Sequence, residues 1–316
     1  MTKLSFSILM RIAALLPACV LVGCGGASST VDPLVPTRVI VFGDAYSAVN
    51  PATGAGTFTV QTGDTDNTVA GRIAAKYGFV LNGSTTSGGF SYANGTLLAG
   101  KVDNVATQIT TYLGNVGSSI GAKDLIIITV GSQDIYDIAV NNSGSIATAT
   151  TTLTSQIQRL TNAGAKYVLV VLPINMARTP WGLSGVNATS DTIRALSYDT
   201  GTQCLSFSCQ LSTKLNAAYP ATSSHQPILL ADLMSYSNLF TGTTATGGAD
   251  TYLNYAVTNP NTAACNAGGT SGCATGAVNA NYASYVFADT LNLTPFANRL
   301  LADYIYNYNF YRAGWR

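Results

Sequence analysis

Residues 39–50 read VIVFGDAYSAVN. An apolar, β-branched run reaches Gly43–Asp44 and stops at Ala45. A buried strand that delivers a sharp turn at its carboxyl end is where many α/β enzymes present a nucleophile. Here that position carries only a methyl group.

Working outward, three more apolar runs read as strands: DLIIITVG (124–131), KYVLVVLP (166–173) and PILLADL (227–233). The Ile-rich run has no polar alternation, as expected of a strand covered on both faces. Between them lie segments with apolar residues at helical spacing: NTVAGRIAAKYG (67–78), VDNVATQITTYLG (102–114) and SIATATTTLTSQIQRLTNAG (145–164). A helical region is expected around 190–218, interrupted by a Cys204–Cys209 loop. Residues 241–281 are rich in Gly, Thr and Asn and read as a long loop stapled by Cys265 and Cys273. TPFANRLLADYIYNYNF (294–310) reads as a final helix, with Thr294 as N-cap and Pro295 at its first position. Strand–helix alternation implies right-handed crossovers and a doubly wound, mainly parallel sheet in a single three-layer α/β domain. Ligands of such sheets bind beyond the carboxyl ends of the strands.

The 316-residue chain carries a net charge of +1, so no basic footprint for nucleic acid is present. Only 9% of residues are charged, a composition that suggests export. The N-terminus is more specific. Lys3 and Arg11 precede the apolar stretch IAALLPACVLV (12–22), a signal-peptide pattern. Leu21-Val22-Gly23-Cys24 resembles a bacterial lipobox, which makes Cys24 the expected lipidation site; Cys19, with Pro17 inside its pattern, is a weaker one. The expected division is a signal peptide over 1–23, a lipidated tether over 24–37 and the folded domain over 38–316. The protein would be anchored to the cell envelope, at the outer membrane because no Asp follows Cys24, and would not span the bilayer. The four remaining cysteines form two close pairs, Cys204 with Cys209 and Cys265 with Cys273, read as disulfides of an oxidising compartment. Neither pair has metal-ligand spacing, and no metal or cofactor is expected. DTDN (64–67) could suggest calcium but lacks the glycine and glutamate of such a loop, and reads as the loop before a helix starting near Asn67.

Four segments then carry a resemblance. VFGDAYSAVN (41–50), SYANGTLLAG (91–100), TVGSQDIYD (129–137) and YVFADTLNLTPFANRLLADYI (285–305) resemble, in order, the four sequence blocks of the SGNH (GDSL) hydrolase family of esterases and lipases. The resemblance implies a flavodoxin-like fold and a serine–histidine–aspartate mechanism. It places the nucleophile at Ala45, the oxyanion donors at the Ala45 and Gly95 backbones and Gln133, the aspartate at Asp289 and the histidine at Asn292. Ala45 has no oxygen to attack with. Asn292 has no titrating lone pair and cannot serve as base near neutral pH. Gln133 is one methylene longer than the family's asparagine. These changes, with Ala48 in place of the pattern's aspartate, depart together, which points to natural divergence rather than one introduced mutation.

The implied pocket is lined by Asp44, Ala45, Gly95, Gln133, Asp289 and Asn292. Asp44 and Asp134 are expected to brace turns by accepting backbone N–H bonds. Ser47 is expected on the following helix, capping a backbone group, and His225 on a surface loop at the amino end of the sheet. The favoured reading is a non-catalytic protein that binds acyl, glycan or protein partners. The alternative is an active carboxylesterase or lipase with a non-standard catalytic set. A third is a structural envelope lipoprotein whose pocket is filled by side chains.

Overall fold

The computed structural model describes residues 33–316 apart from 118, 187, 199–202, 221–225 and 242–254. The signal peptide, most of the tether and His225 lie outside the described residues. Among those described, no helix is long and apolar enough to cross a membrane.

The central sheet has four strands, β1 (Val39–Gly43), β3 (Leu125–Thr129), β4 (Tyr167–Val171) and β5 (Ile228–Ala231), in the order β1-β3-β4-β5. All three pairings are parallel, and β1 and β3 match residue for residue from Val39↔Leu125 to Gly43↔Thr129. Every residue of β1 and β3 is buried, because helices cover both faces. On one side α2 (Val102–Asn115), α4 (Ile146–Asn162) and α7 (Phe207–Ala218) pack against one another. On the other, α1 (Val69–Lys76) packs on α9 (Pro295–Tyr304). The three-layer domain is therefore the one its sequence implies. Thr294 caps α9 by accepting from the Ala297 N–H, with Pro295 at the first position.

The equal register brings the turns after β1 and β3 side by side, where the Asp44 N–H donates to the Thr129 carbonyl. Gly43 makes this possible. Its φ of +135° and a Cβ that would fall 2.0 Å from the Thr129 carbonyl oxygen exclude any other residue. Beside β1, residues 90–94 run as an irregular edge segment, with the Tyr92 N–H donating to Val41 O and Asn94 N–H to Gly43 O.

Three expectations need correction, and one helix goes unmarked in the sequence. No helix follows the β1 turn directly: residues 44–68 form an extended connection interrupted by Pro51 and Gly54, and α1 starts at Val69. Ser47 lies in the turn itself and accepts a hydrogen bond from Thr129 Oγ1 (2.9 Å) instead of capping a helix. A helix the apolar pattern did not mark, α3 (Ser132–Asn141), starts right after β3, because Gly131 at φ +106° turns the chain sharply. The described part of 241–281 is not all loop. Strand β6 (Asn259–Ala263) pairs with β8 (Tyr285–Phe287), and β7 (Cys273–Ala274) pairs with β2 (Val60–Gln61). Helices α5 (Pro180–Ser184), α6 (Ser190–Ser197) and α8 (Met234–Thr241) fill the remaining connections. Both disulfides, Cys204–Cys209 and Cys265–Cys273, are formed.

Asp134 braces the start of α2, both its carboxylate oxygens accepting from the Val102 N–H at 3.2–3.3 Å. Burial pushes its pKa up to about 7, against the opposing pull of that bond and of Lys101. A folded-state pKa above the unfolded value means that the folded chain binds the proton more tightly. Stability therefore falls as pH rises from about 4 to about 7. Asp134→Asn keeps an acceptor for Val102 but removes the titration. We expect it to abolish that decline and to raise stability at pH 7.5 by about 2–4 kcal/mol. Urea melts of both proteins at pH 4.5 and 7.5 check this, and parallel pH profiles would refute it.

Candidate functional site

The carboxyl ends of β1 and β3 and the loop before α9 converge on one small cavity. Ala45, Gly95, Gln133 and Asn292 all line it, so four of the six expected pocket residues meet there. Asp44 and Asp289 do not line it. Each is 1% exposed and sits behind the wall, holding a residue that does.

Asp44 Oδ1 accepts from the Tyr46 N–H and Oδ2 from Ser132 Oγ. Burial raises its pKa, opposed by these bonds. Asp289 is held more fully. Its Oδ1 accepts from the backbone N–H groups of Leu291 and Asn292, and its Oδ2 from Gly272 N–H and Asn292 Nδ2. Asn292 Nδ2 also donates to the Thr270 carbonyl (2.8 Å). Asn292 thus reproduces the donor that an imidazole would offer this aspartate, and lacks the second, titrating nitrogen.

Gln133 enters the wall from the first turn of α3. Its Oε1 accepts from the Gly100 N–H (2.7 Å), which fixes the orientation of the amide, and its Nε2 reaches the Gly95 carbonyl (3.3 Å). The Gln133 amide ties the loop from Gly95 to Gly100 to the start of α3, and one of its two Nε2 hydrogens has no protein acceptor among the described residues. The Ala45 and Gly95 N–H groups donate to no acceptor among the described residues. Two backbone N–H groups at the cavity therefore have no protein acceptor, while a methyl group and an amide stand at the positions where the resemblance expects a nucleophile and a base.

The sequence did not mark Tyr46, Leu97, Ser132, Met176, Thr270 and Leu291, which complete the lining. Ser132 and Leu291 adjoin residues already singled out and could have been found by neighbourhood. Met176 and Thr270 come from remote loops and carry no local signal. Thr270 belongs to the loop closed by Cys265–Cys273, which Gly272 and Thr290 further bind to the Asp289 turn. These side chains leave a cavity of about 10 Å³, room for a single water and too little for an acyl group. Among the described residues no cluster of His, Cys, Asp or Glu could hold a metal, and Asp64 and Asp66 instead meet Arg299 and Arg72.

A family described as GDSL-like lipase/acylhydrolase matches residues 39–305. Comparison with curated proteins gives no match. Two solved structures are similar. One is a member of the lipolytic protein G-D-S-L family from Veillonella parvula DSM 2008, at 12% identity and TM-score 0.45, covering 86% of this chain and 97% of that one. The other is the acetyl xylan esterase AlAXEase, at 14% identity and TM-score 0.45, covering 85% and 98%.

Proposed function

Because the chain belongs to the GDSL-like lipase/acylhydrolase family, we propose that it is a non-catalytic member that binds acyl, glycan or protein partners at the carboxyl end of its sheet. One observation carries this. Ala45 and Asn292, at the positions where the family pattern has its serine and histidine, both line a cavity of about 10 Å³, so a hydroxyl at the nucleophile position, an imidazole at the base position and the room for an acyl group are missing together. Loss of a nucleophile or base from a serine triad costs on the order of 10⁶ in rate. The wild-type protein is expected to turn over short and long p-nitrophenyl esters no faster than buffer and to resist a fluorophosphonate serine probe.

A second reading has one feature in its favour. Ser132 lines the cavity and its hydroxyl lies 2.5 Å from Asp44 Oδ2, a carboxylate beside a candidate nucleophile. Labelling by the probe that disappears in Ser132→Ala would establish that esterase reading and overturn ours. The two disulfides suit an extracellular or periplasmic protein. With the lipobox-like Leu-Val-Gly-Cys, they support a lipid anchor at Cys24 on the outer membrane. Cys24→Ser should then move the protein from the membrane to the soluble fraction, and unchanged membrane retention would refute the anchor.

A further inference from the structure

Gly95 lines both the small cavity and a second, larger groove. A Cβ on Gly95 would come within 2.2 Å of the Phe58 ring. Phe58, with the edge segment from Ser91 to Gly95 and the loop around Ser84, bounds a groove of about 290 Å³. That volume is at the lower end of small-molecule sites. One wall of the groove, Ala48, Val49 and Ser91–Gly95, comes from the first two family-like blocks; Phe58 and the loop at Gly83–Thr85 lie outside all four.

Its chemistry is specific. No carboxylate, amine or guanidinium lines it, so it offers nothing to a charged ligand. Two aromatic rings do line it. Tyr92 packs on Phe42 and Tyr112, whereas Phe58 stands outside the core clusters, supported by Gly95 and half-buried. Around them are hydrogen-bonding groups with no protein partner: the Ser84 and Thr85 hydroxyls, Asn94 Nδ2, and both the N–H and the carbonyl of Ala93. In the floor, Ser91 is 5% exposed and its hydroxyl is also unpartnered.

These features discriminate among ligand classes. An acyl chain would bury the free hydroxyls and amides without partners, at about 1–3 kcal/mol each. An extended peptide would need a free strand edge. Residues 82–84 already occupy that edge at Ser91, through Ser91 N–H to Asn82 O and Ser84 N–H to Ser91 O. Only Ala93 is left open, too little for strand addition. A neutral pyranose fits both parts: its C–H face suits an aromatic ring, and each hydroxyl can donate and accept. We propose that this groove binds a neutral sugar residue. The inference rests on the binding role given above and selects glycan from its three partner classes.

The test is a titration of isotope-labelled full-length protein with glucose, xylose and N-acetylglucosamine, read by amide shifts. The expected result is saturable shifts at Ser84, Thr85, Ala93 and Asn94, with Kd on the order of millimolar for at least one sugar. Phe58→Ala should weaken binding by about tenfold or more. Because Phe58 supports Gly95, and Asn94 Oδ1 accepts from the Thr96 N–H, Thr85→Val and Ser84→Ala serve as the variants that break no protein hydrogen bond, each expected to weaken binding severalfold. Binding that maps elsewhere, shifts produced only by laurate or by a peptide, or no saturation with any of the three sugars would overturn the proposal. Ester turnover, measured on the same samples, reports separately on the non-catalytic reading. A protein that binds sugar and hydrolyses esters sinks only that reading, and one that does neither sinks only this inference.

Discussion

The triple variant Ala45→Ser, Gln133→Asn, Asn292→His hydrolyses p-nitrophenyl acetate on the order of 10²–10⁴ times faster than wild type, while each single change gains less than about tenfold. That is the expected result, and the structure supplies its reasons. Members of a triad act as a unit, so restoring one leaves the others limiting. The partner for a restored imidazole is already in place, because Asp289 Oδ2 accepts a hydrogen bond from residue 292 at 2.8 Å. The Ala45 and Gly95 N–H groups are free to stabilise an oxyanion. Shortening Gln133 breaks its bonds to Gly95 O and the Gly100 N–H and restores the family pattern's asparagine. The gain stays well below the full 10⁶ because Leu291, Met176 and Thr270 leave about 10 Å³, and even a two-carbon acyl group must displace them. A folded triple variant no faster than Ala45→Ser alone would show that the scaffold has lost the geometry as well as the groups.

The second large effect concerns stability. In an active triad the aspartate orients a histidine. Here Asp289 is buried and accepts four hydrogen bonds, three of them from backbone N–H groups. Asp289→Ala strands those donors and releases both the turn before α9 and the loop that ends at Cys273. Each buried unsatisfied donor costs about 1–3 kcal/mol, and the expected total is about 5 kcal/mol. For a domain of this size that lowers Tm by about 10 °C or more. Asp289→Asn keeps one acceptor oxygen and hence two of the four bonds, with an NH2 turned toward the remaining donors, and should cost less than the alanine change. Calorimetry of the three proteins decides it. A shift under about 2 °C for the alanine variant would mean that these four hydrogen bonds do not hold the fold together.

The sequence made the sheet legible because its strands are buried on both faces: LIIIT in β3 has no second interpretation at that length. Site positions were legible where they follow such strands, as Ala45 and Gln133 do, or sit in the motif before α9, as Asp289 and Asn292 do. Two things were not. The direction of the Gln133 amide depends on the Gly100 N–H, more than thirty residues away in sequence, and no local pattern encodes it. The smallness of the cavity is set by Met176 and Thr270, whose loops have no periodicity to read. Helix α3 escaped because only Gly131, at φ +106°, announces it, and its polar first turn, Ser-Gln-Asp, looks like loop.

The loop between Cys265 and Cys273 supplies Thr270 to the cavity wall and Gly272 to the Asp289 carboxylate. Thiol reductants would therefore do more than cut a covalent staple: they would slacken the loop that walls the small cavity. Material matured in a reducing cytosol and material matured after export should differ in how readily small molecules enter, and comparisons between laboratories must begin by stating the oxidation state of that one bond.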